Sequence, residues 1–441
     1  MYRDTIKFKN LRTRKIFLNK WFVSAVNNSN FKIEDIDLKN SKDWFIKDGI
    51  IRHRSGKFFQ VVGLEWVDNN GRFKRQPFLN QQEVGVLGFL MRQKKEMPEL
   101  LVQAKIEPGN VKMVQIAPTC QATESNALRV HGGSLPPYIT YFTPRNREIV
   151  YDKKQSEQGT RFYKKLNRNA LIITQNKIPL IPSHKWIEVS DLLSLLHLDY
   201  LVNTDARSVL ACSPWWLLVG HSPFVLNKKG FGAELAKSYQ AENSFSNLDE
   251  IKLYLKELKI KIKEPKIIKL SKLPDWRLDK KGIFPINKKS FLIKQIKVRI
   301  SSREITNWDQ PIIESTSEGR VVLLCGRHKD ILYFLFKASI EPGLYNKVEL
   351  TPALIIEPGE EKGINKKLLE GIIKVDCHQS EEGGRFFKDR NHFQIIDRGE
   401  IFKPEPNFFW LTLRQIRQLL DEEGWFTNEA RSAISLLLRW L

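Results

Sequence analysis

Paired cysteines are missing from this 441-residue chain: Cys120, Cys212, Cys325 and Cys377 stand far apart, and no CxxC occurs. That argues against a disulfide framework and a cysteine-based zinc site, and it suits a reducing compartment. A long apolar run is missing too. The longest, 209–226, contains Pro214, His221 and Pro223, so it reads as buried interior and not as a membrane-spanning helix. The chain opens on Met1-Tyr2-Arg3-Asp4 with no apolar signal core, and the expectation is a cytoplasmic protein. No GxGxxG follows a strand-like run, which removes the usual dinucleotide fingerprint. Acidic residues are outnumbered, 50 against 72 Lys and Arg, for a formal net charge of +22. Such a charge invites a nucleic-acid reading. The lysines are scattered along the whole chain, however, and no recognised DNA or RNA module is present. A nucleic-acid binder, or another non-catalytic binding protein, therefore ranks below an enzyme.

What is present is said almost twice. Gln76-Pro77, Glu107-Pro108-Gly109 and Pro118 return as Gln310-Pro311, Glu341-Pro342-Gly343 and Pro352, all at one interval (310 − 76 = 234). Ser156-Glu157-Gln158-Gly159-Thr160-Arg161-Phe162 returns as Ser380-Glu381-Glu382-Gly383-Gly384-Arg385-Phe386 at a second interval (380 − 156 = 224). Trp186 and Ala206-Arg207-Ser208 return as Trp410 and Ala430-Arg431-Ser432 at that same interval. Two copies of one module are expected, in a chain too long for one ordinary core. The expected divisions are an N-terminal arm at 1–40, a first module at 41–226, a charged helical linker at 227–271 and a second module at 272–441.

Within the first module, 57–64 and 100–106 read as strands from their β-branched and aromatic content, and 111–116 as the next. Glu107-Pro108-Gly109 is a turn in which proline blocks a helix and glycine supplies a permissive backbone. Leucines at helical spacing predict a helix over 187–198. Asn203-Thr204-Asp205 supplies an N-cap for a helix from Ala206, and Thr427-Asn428-Glu429 does the same in the second module. Strands followed by helices point to an α+β or mixed α/β fold. The arm, with Phe17, Leu18, Trp21 and Phe22, reads as a packed amphipathic helix.

The run from Gln103 to Gly133, QAKIEPGNVKMVQIAPTCQATESNALRVHGG, resembles the signature of NDP-hexose 2,3-dehydratases. So do His53-Arg54-Ser55-Gly56-Lys57-Phe58-Phe59 upstream, and Gln155-Ser156-Glu157-Gln158-Gly159 and Asn167-Arg168-Asn169 downstream. The resemblance spans roughly 17–441. It implies a tandem duplication of a Nudix-like domain, a homodimer, and removal of the 2-hydroxyl and C3 hydrogen from a dTDP-linked 4-keto-6-deoxyhexose. No cofactor is implied, because no hydride moves. No G-x5-E-x7-R-E-x2-E-E-x-G box is present, which weighs against a pyrophosphatase whatever the fold. Two departures stand out. Pro352-Ala353-Leu354-Ile355 replaces a P-T-V-Q-like stretch in the second copy, and Ser125-Asn126-Ala127 lacks the aromatic that usually follows Ser-Asn.

The C3 hydrogen is acidic only because a ketone stands beside it at C4. Elimination needs a base at C3, a donor at the C4 oxygen and an acid for the departing hydroxyl. His131, in a Gly-Gly loop, and Tyr138 are the first candidates for base or acid, with His53 and Glu157 in reserve. Gln115, Thr119, Gln121, Thr123, Ser125 and Asn126 form a polar run. If 111–121 is extended, Gln115, Thr119 and Gln121 share a face suited to a sugar. Arg161, Arg168, Asn167 and Asn169 are candidates for the diphosphate, beside Gln155 and Ser156. Gln379 and Arg385, from the second copy, could serve a second nucleotide pocket. Trp44 could face the base. Glu107 and Glu341 read as structural carboxylates capping backbone donors. Asp376-Cys377-His378 is the one compact ligand-like triplet, but neighbours on a strand point to opposite faces and no metal is expected.

Overall fold

The computed structural model describes residues 20–68, 71–94, 97–127, 134–143, 146, 148–242, 244–286, 290–301, 305–360 and 366–441. The described residues form a mixed α+β protein built mostly of strands. Among the described residues no helix is long and apolar enough to cross a membrane.

Two seven-stranded sheets share one connectivity. In the N-terminal sheet, Gly85–Lys94 pairs antiparallel with Met97–Ile106 and parallel with Leu166–Ile173, while Ile149–Ser156 borders the last of these. In the C-terminal sheet, Gly319–His328 pairs in the same way with Ile331–Ile340 and Arg390–Glu400, and Ile372–Ser380 takes the border position. Val114–Ala117 and Cys120–Ala122 flank the first sheet as Val348–Pro352 and Leu354–Ile356 flank the second. The tight hairpin of the C-terminal sheet turns on Lys329 and Asp330, both at positive φ (48° and 64°), the backbone of a two-residue turn matched to strand twist.

Two smaller sheets exchange a strand. Lys32–Ile36, preceding the first half, pairs with Phe291–Arg299 of the second. Lys266–Ile268, preceding the second half, pairs with Gln60–Val67 of the first. The linker expected to be helical over 227–271 is thus two helices, Gly230–Gln240 and Leu248–Lys261, followed by this strand. Of the expected arm helix, Lys20–Asn27 is described; its Phe22 is buried, and Phe17 and Leu18 lie outside the described residues.

The halves meet along a polar seam inside one continuous apolar core that takes side chains from both. Helix Thr204–Cys212, capped by Asn203, and helix Asn428–Ser435, capped by Thr427, face each other there. Thr204 Oγ1 donates to Asn428 Oδ1 (3.2 Å), and Arg431 Nε donates to Ser208 Oγ (2.8 Å). The helix expected from 187 begins two residues later, because His184–Glu188 is first used as a strand against Met97–Ile106.

The recurring Glu-Pro-Gly triplets sit on this seam. Gly109 N donates to Gly383 O and Lys388 N to Gly109 O, both at 2.7 Å. Reciprocally, Gly343 N donates to Gly159 O (2.8 Å) and Lys164 N to Gly343 O (2.6 Å). Neither glycine is at positive φ, so backbone permissiveness is not the reason for it. Space is: a Cβ on Gly109 would stand 1.5 Å from Phe386 O, and one on Gly343 1.8 Å from Phe162 O.

Candidate active site

A cavity of about 810 Å³ lies in the N-terminal half, closed by residues of the C-terminal half. One group of lining residues is aromatic. Trp44 is fixed by its indole N–H, which donates to Asp309 O (2.8 Å), and it packs on Phe59 (4.6 Å) and edge-on to His53 (5.4 Å). The His53 ring also meets Phe58 (4.7 Å), and its Nδ1 lies 2.7 Å from Ser55 Oγ. Burial lowers the His53 pKa against the opposing pull of Asp43 and Asp309. The Arg385 guanidinium, from the C-terminal half, lies over Phe59 (4.4 Å) with Nε donating to Gln81 Oε1 (3.3 Å).

A second group is ionisable and lies deep in protein: Lys105, Glu107, Glu157, Lys165, Asp205 and Glu382. Lys105 Nζ donates to Gln121 O (3.1 Å) and stands 3.9 Å from Glu107 Oε1. Glu107 Oε1 also accepts from Gln121 Nε2 (3.1 Å), and its Oε2 has no hydrogen-bond partner among the described residues. Glu107 therefore faces the cavity and takes a side-chain amide, where backbone capping was expected. Glu157 accepts from Asn167 and, across the seam, from Asn428 Nδ2 (3.1 Å). Burial raises the Glu157 pKa, while Arg431 and Lys165 oppose the rise. Asp205 is held well above the usual carboxylate range by burial and by Glu157, Glu382 and Glu107. Glu382 is pushed up to about 7 by burial, with Arg385 opposing; its exposed fraction faces the cavity although protein surrounds it. Burial lowers the Lys165 ammonium, Glu83 and Glu157 pull it back up, and Arg385 adds to the lowering. Like charges crowded into a dry site are the arrangement that brings carboxyl groups into the range of acid–base work.

Of the residues singled out in the sequence, Trp44, His53, Thr119, Gln121, Thr123, Asn126, Glu157, Asn167 and Arg385 line this cavity. Thr119 does so with its hydroxyl spent on Leu101 O and Leu90 N. His131 lies outside the described residues, and so does the side chain of Ser125. The rest lie elsewhere. Tyr138 donates to Pro179 O (2.7 Å) and packs on His184. The shared face of Gln115, Thr119 and Gln121 does not form, because 114–117 and 120–122 pair with different strands. Gln115 instead donates to Ser380 Oγ (2.6 Å) across the seam, and Ser156 donates to Glu349 in return (2.5 Å). Gln155 donates to Glu422 O (3.2 Å), Gln379 accepts from Arg207 (3.1 Å), and Asn169 accepts from Ser208 (2.9 Å). Arg168 is paired with Asp152. These side chains join the halves or brace the sheet; only their partners, more than a hundred residues away in most cases, could have revealed it.

The equivalent place in the C-terminal half is nearly filled, with about 40 Å³ left. The two arginines have crossed over: Arg385 lines the N-terminal cavity, and Arg161 of the N-terminal half enters the C-terminal one. There Arg161 lies over Phe291 (4.3 Å) and is bound by Glu357 (2.6 Å). Glu357 occupies the position of Thr123, and Ile355 that of Gln121 (357 − 123 = 234). Of the apolar departure at 352–355, Ile355 lines this closed pocket, while Ala353 and Leu354 pack in an apolar cluster. Asp376, Cys377 and His378 do not converge, and among the described residues no group of three or more metal-ligating side chains forms; Asp376 bonds His392, His378 meets Glu318 (2.8 Å), and Cys377 is buried.

A family model described as NDP-hexose 2,3-dehydratase matches residues 16–213 and 251–437. The chain is 31% identical over 436 residues to a dTDP-4-dehydro-6-deoxy-alpha-D-glucopyranose 2,3-dehydratase of Saccharopolyspora spinosa, covering 95% of this chain and 90% of that one. It is 29% identical over 438 residues to the protein of that name from Amycolatopsis orientalis, with 95% and 88% covered. A third such protein, from Streptomyces violaceoruber, is 32% identical over 415 residues, with 90% of each chain covered.

Proposed function

We propose that this chain, which belongs to the NDP-hexose 2,3-dehydratase family, is a hydro-lyase acting on dTDP-4-keto-6-deoxyglucose in the cavity of its N-terminal half. It removes the 2-hydroxyl and the C3 hydrogen, and the enol so formed becomes the 3,4-diketo-2,6-dideoxy sugar. One observation carries the reading: a single cavity holds an aromatic lining, an arginine stacked on it and a deep set of ionisable groups, the surfaces that a nucleobase, a diphosphate and a reacting sugar would need. Trp44, Phe58 and Phe59 offer faces for thymine. Arg385, stacked and planar, suits a bidentate hold on the diphosphate. The sugar then meets Glu157, Lys165, Asp205 and Glu382. Glu157, with both oxygens bonded and backed by Lys165, serves as base at C3. Glu382, titrating near neutrality, serves as acid for the departing hydroxyl. His53 and Asp309 close the aromatic side.

The same reading takes the two halves as copies of one Nudix-like module, divided as the sequence intervals suggest. It takes the working form as a cytoplasmic homodimer. The test is direct: purified protein is incubated with dTDP-4-keto-6-deoxyglucose and the loss of one water followed by mass spectrometry. Unchanged substrate, beside an active control dehydratase, refutes the assignment.

A further inference from the structure

The open and closed pockets stand at equivalent places in one chain, so each is a control for the other. Some groups are common to the two halves, and Glu157 among them is put to use as the base in the open pocket. Glu157 accepts from Asn167, and Glu381 accepts from Asn391 in the same way; Glu107 recurs as Glu341 and Asp205 is matched by Glu429. Groups found only in the open pocket are the ones that ligand handling requires. Four differences bear charge: Lys165 stands where the closed pocket has Asp389 (389 − 165 = 224), Lys105 where the C-terminal half has Ser339, Thr123 where the closed pocket has Glu357, and Glu382 where it has Gln158 (382 − 158 = 224). The first three make the open pocket more positive, the fourth adds a carboxyl, and at 165 the sign is reversed.

Lys165 is buried, at 5% exposure, yet lines the cavity. Its Nζ donates to Glu83 O at 2.6 Å, one bond for a group with three donors. The carboxylates acting on it are Glu83, Glu157 and Glu382, the last two in the cavity, with Arg385 as the neighbouring cation. Lys105, by contrast, is occupied by Gln121 O and flanked by Glu107. In the closed pocket Asp389 accepts from Ser315 Oγ (2.6 Å) and faces the field of Arg161. An anion placed there would meet the carboxyls of Asp389 and Glu357.

We propose that the Lys165 ammonium donates to the C4 oxygen of the sugar and carries the negative charge that develops on it. This rests on the dehydratase reading and adds to it the electrophilic residue. A cavity carboxylate takes the C3 hydrogen as a proton, and the electron pair of that bond forms the C3=C4 bond of an enolate whose charge lies on O4, against Lys165. As C4=O re-forms, the pair moves into a C2=C3 bond and the C2–O bond breaks. The hydroxyl leaves as water with a proton from the cavity acid. Nothing is oxidised or reduced overall.

Lys165→Met and Lys165→Gln, in the full chain, are assayed for dehydration and for exchange of the C3 hydrogen in deuterated water, with dTDP binding measured by calorimetry. Removal of one preorganised donor to an oxyanion costs about 10²–10³ in rate, and both dehydration and C3 exchange are expected to fall together by that factor while dTDP affinity stays within about threefold. Lys165→Arg, which keeps a cationic donor, is expected to recover part of both. A variant that binds dTDP and keeps wild-type C3 exchange, whether or not it dehydrates, overturns the assignment, as does equal loss in folded Arg and Met variants. Wild-type protein that neither exchanges nor dehydrates would instead remove the dehydratase reading itself, so the two failures are distinguishable.

Discussion

Gly109→Ala is the perturbation whose cost is most directly set by the seam. The added Cβ would stand 1.5 Å from Phe386 O, roughly 2 Å inside ordinary carbon–oxygen contact, and the obstacle is backbone, which cannot rotate away. Relief requires the 383–388 loop to withdraw from 107–110. That breaks the bonds from Gly109 N to Gly383 O and from Lys388 N to Gly109 O. Each backbone bond contributes about 0.5–1.5 kcal/mol net, and a buried group left unpaired costs about 1–3 kcal/mol. The expected loss is therefore about 3–5 kcal/mol, read from the midpoint and slope of urea unfolding. Because Glu382, Gly384 and Arg385 travel with that loop, whatever fraction remains folded should also lose kcat/KM. Gly343→Ala, with 1.8 Å to Phe162 O, should destabilise comparably. A loss below about 1 kcal/mol in Gly109→Ala, or wild-type turnover by the folded variant, would refute the account of why glycine stands there.

The crossed arginines give a paired test: Arg385→Ala should raise KM for the sugar nucleotide by about 10- to 100-fold, the worth of charge-assisted bonds, whereas Arg161→Ala should leave KM unchanged in steady-state assays. Glu357→Ala strips Arg161 of its partner and should cost about 1–3 kcal/mol in thermal or urea unfolding with kcat/KM unaltered. Glu382, near 7 in the folded protein and raised above its ordinary value, favours the folded state fully only below its unfolded pKa, and this contribution is lost as pH rises through 7. Glu382→Gln should therefore gain stability relative to the parent by about 1–3 kcal/mol between pH 5 and pH 8. Identical pH–stability curves would contradict the burial of that carboxyl.

Local chemistry was legible in the sequence and the company it keeps was not. The N-caps at Asn203 and Thr427 follow from side chains bonding within three residues, and the strand at 97–106 from its apolar content. Residues at the interval of 234 hold equivalent pairings in the two large sheets, Val86 opposite Ala122 and Arg320 opposite Ile356. Gln115, Ser156 and Gln379 looked like ligand contacts because polar groups in a motif do, yet their partners sit in the opposite half. Periodicity says which face of a strand a residue takes, not what covers that face. Glycine in Glu-Pro-Gly was read as a turn former, and its cause is a carbonyl near position 386. Lys105, Lys165, Asp205 and Glu382 were passed over in the sequence. A signal existed for three of them: the two halves differ in charge at 105, 165 and 382, and an alignment of the chain with itself exposes that.

The exchanged strands bear on how the chain is made. The first half's small sheet lacks one bordering strand until 266–268 has been synthesised, and Gly63–Glu65 presents unpaired backbone on that side until then. Lys32–Ile36, emerging early, waits still longer for Phe291–Arg299. Vectorial folding thus leaves two borders outstanding, and a fragment ending near residue 226 would be born with both permanently bare.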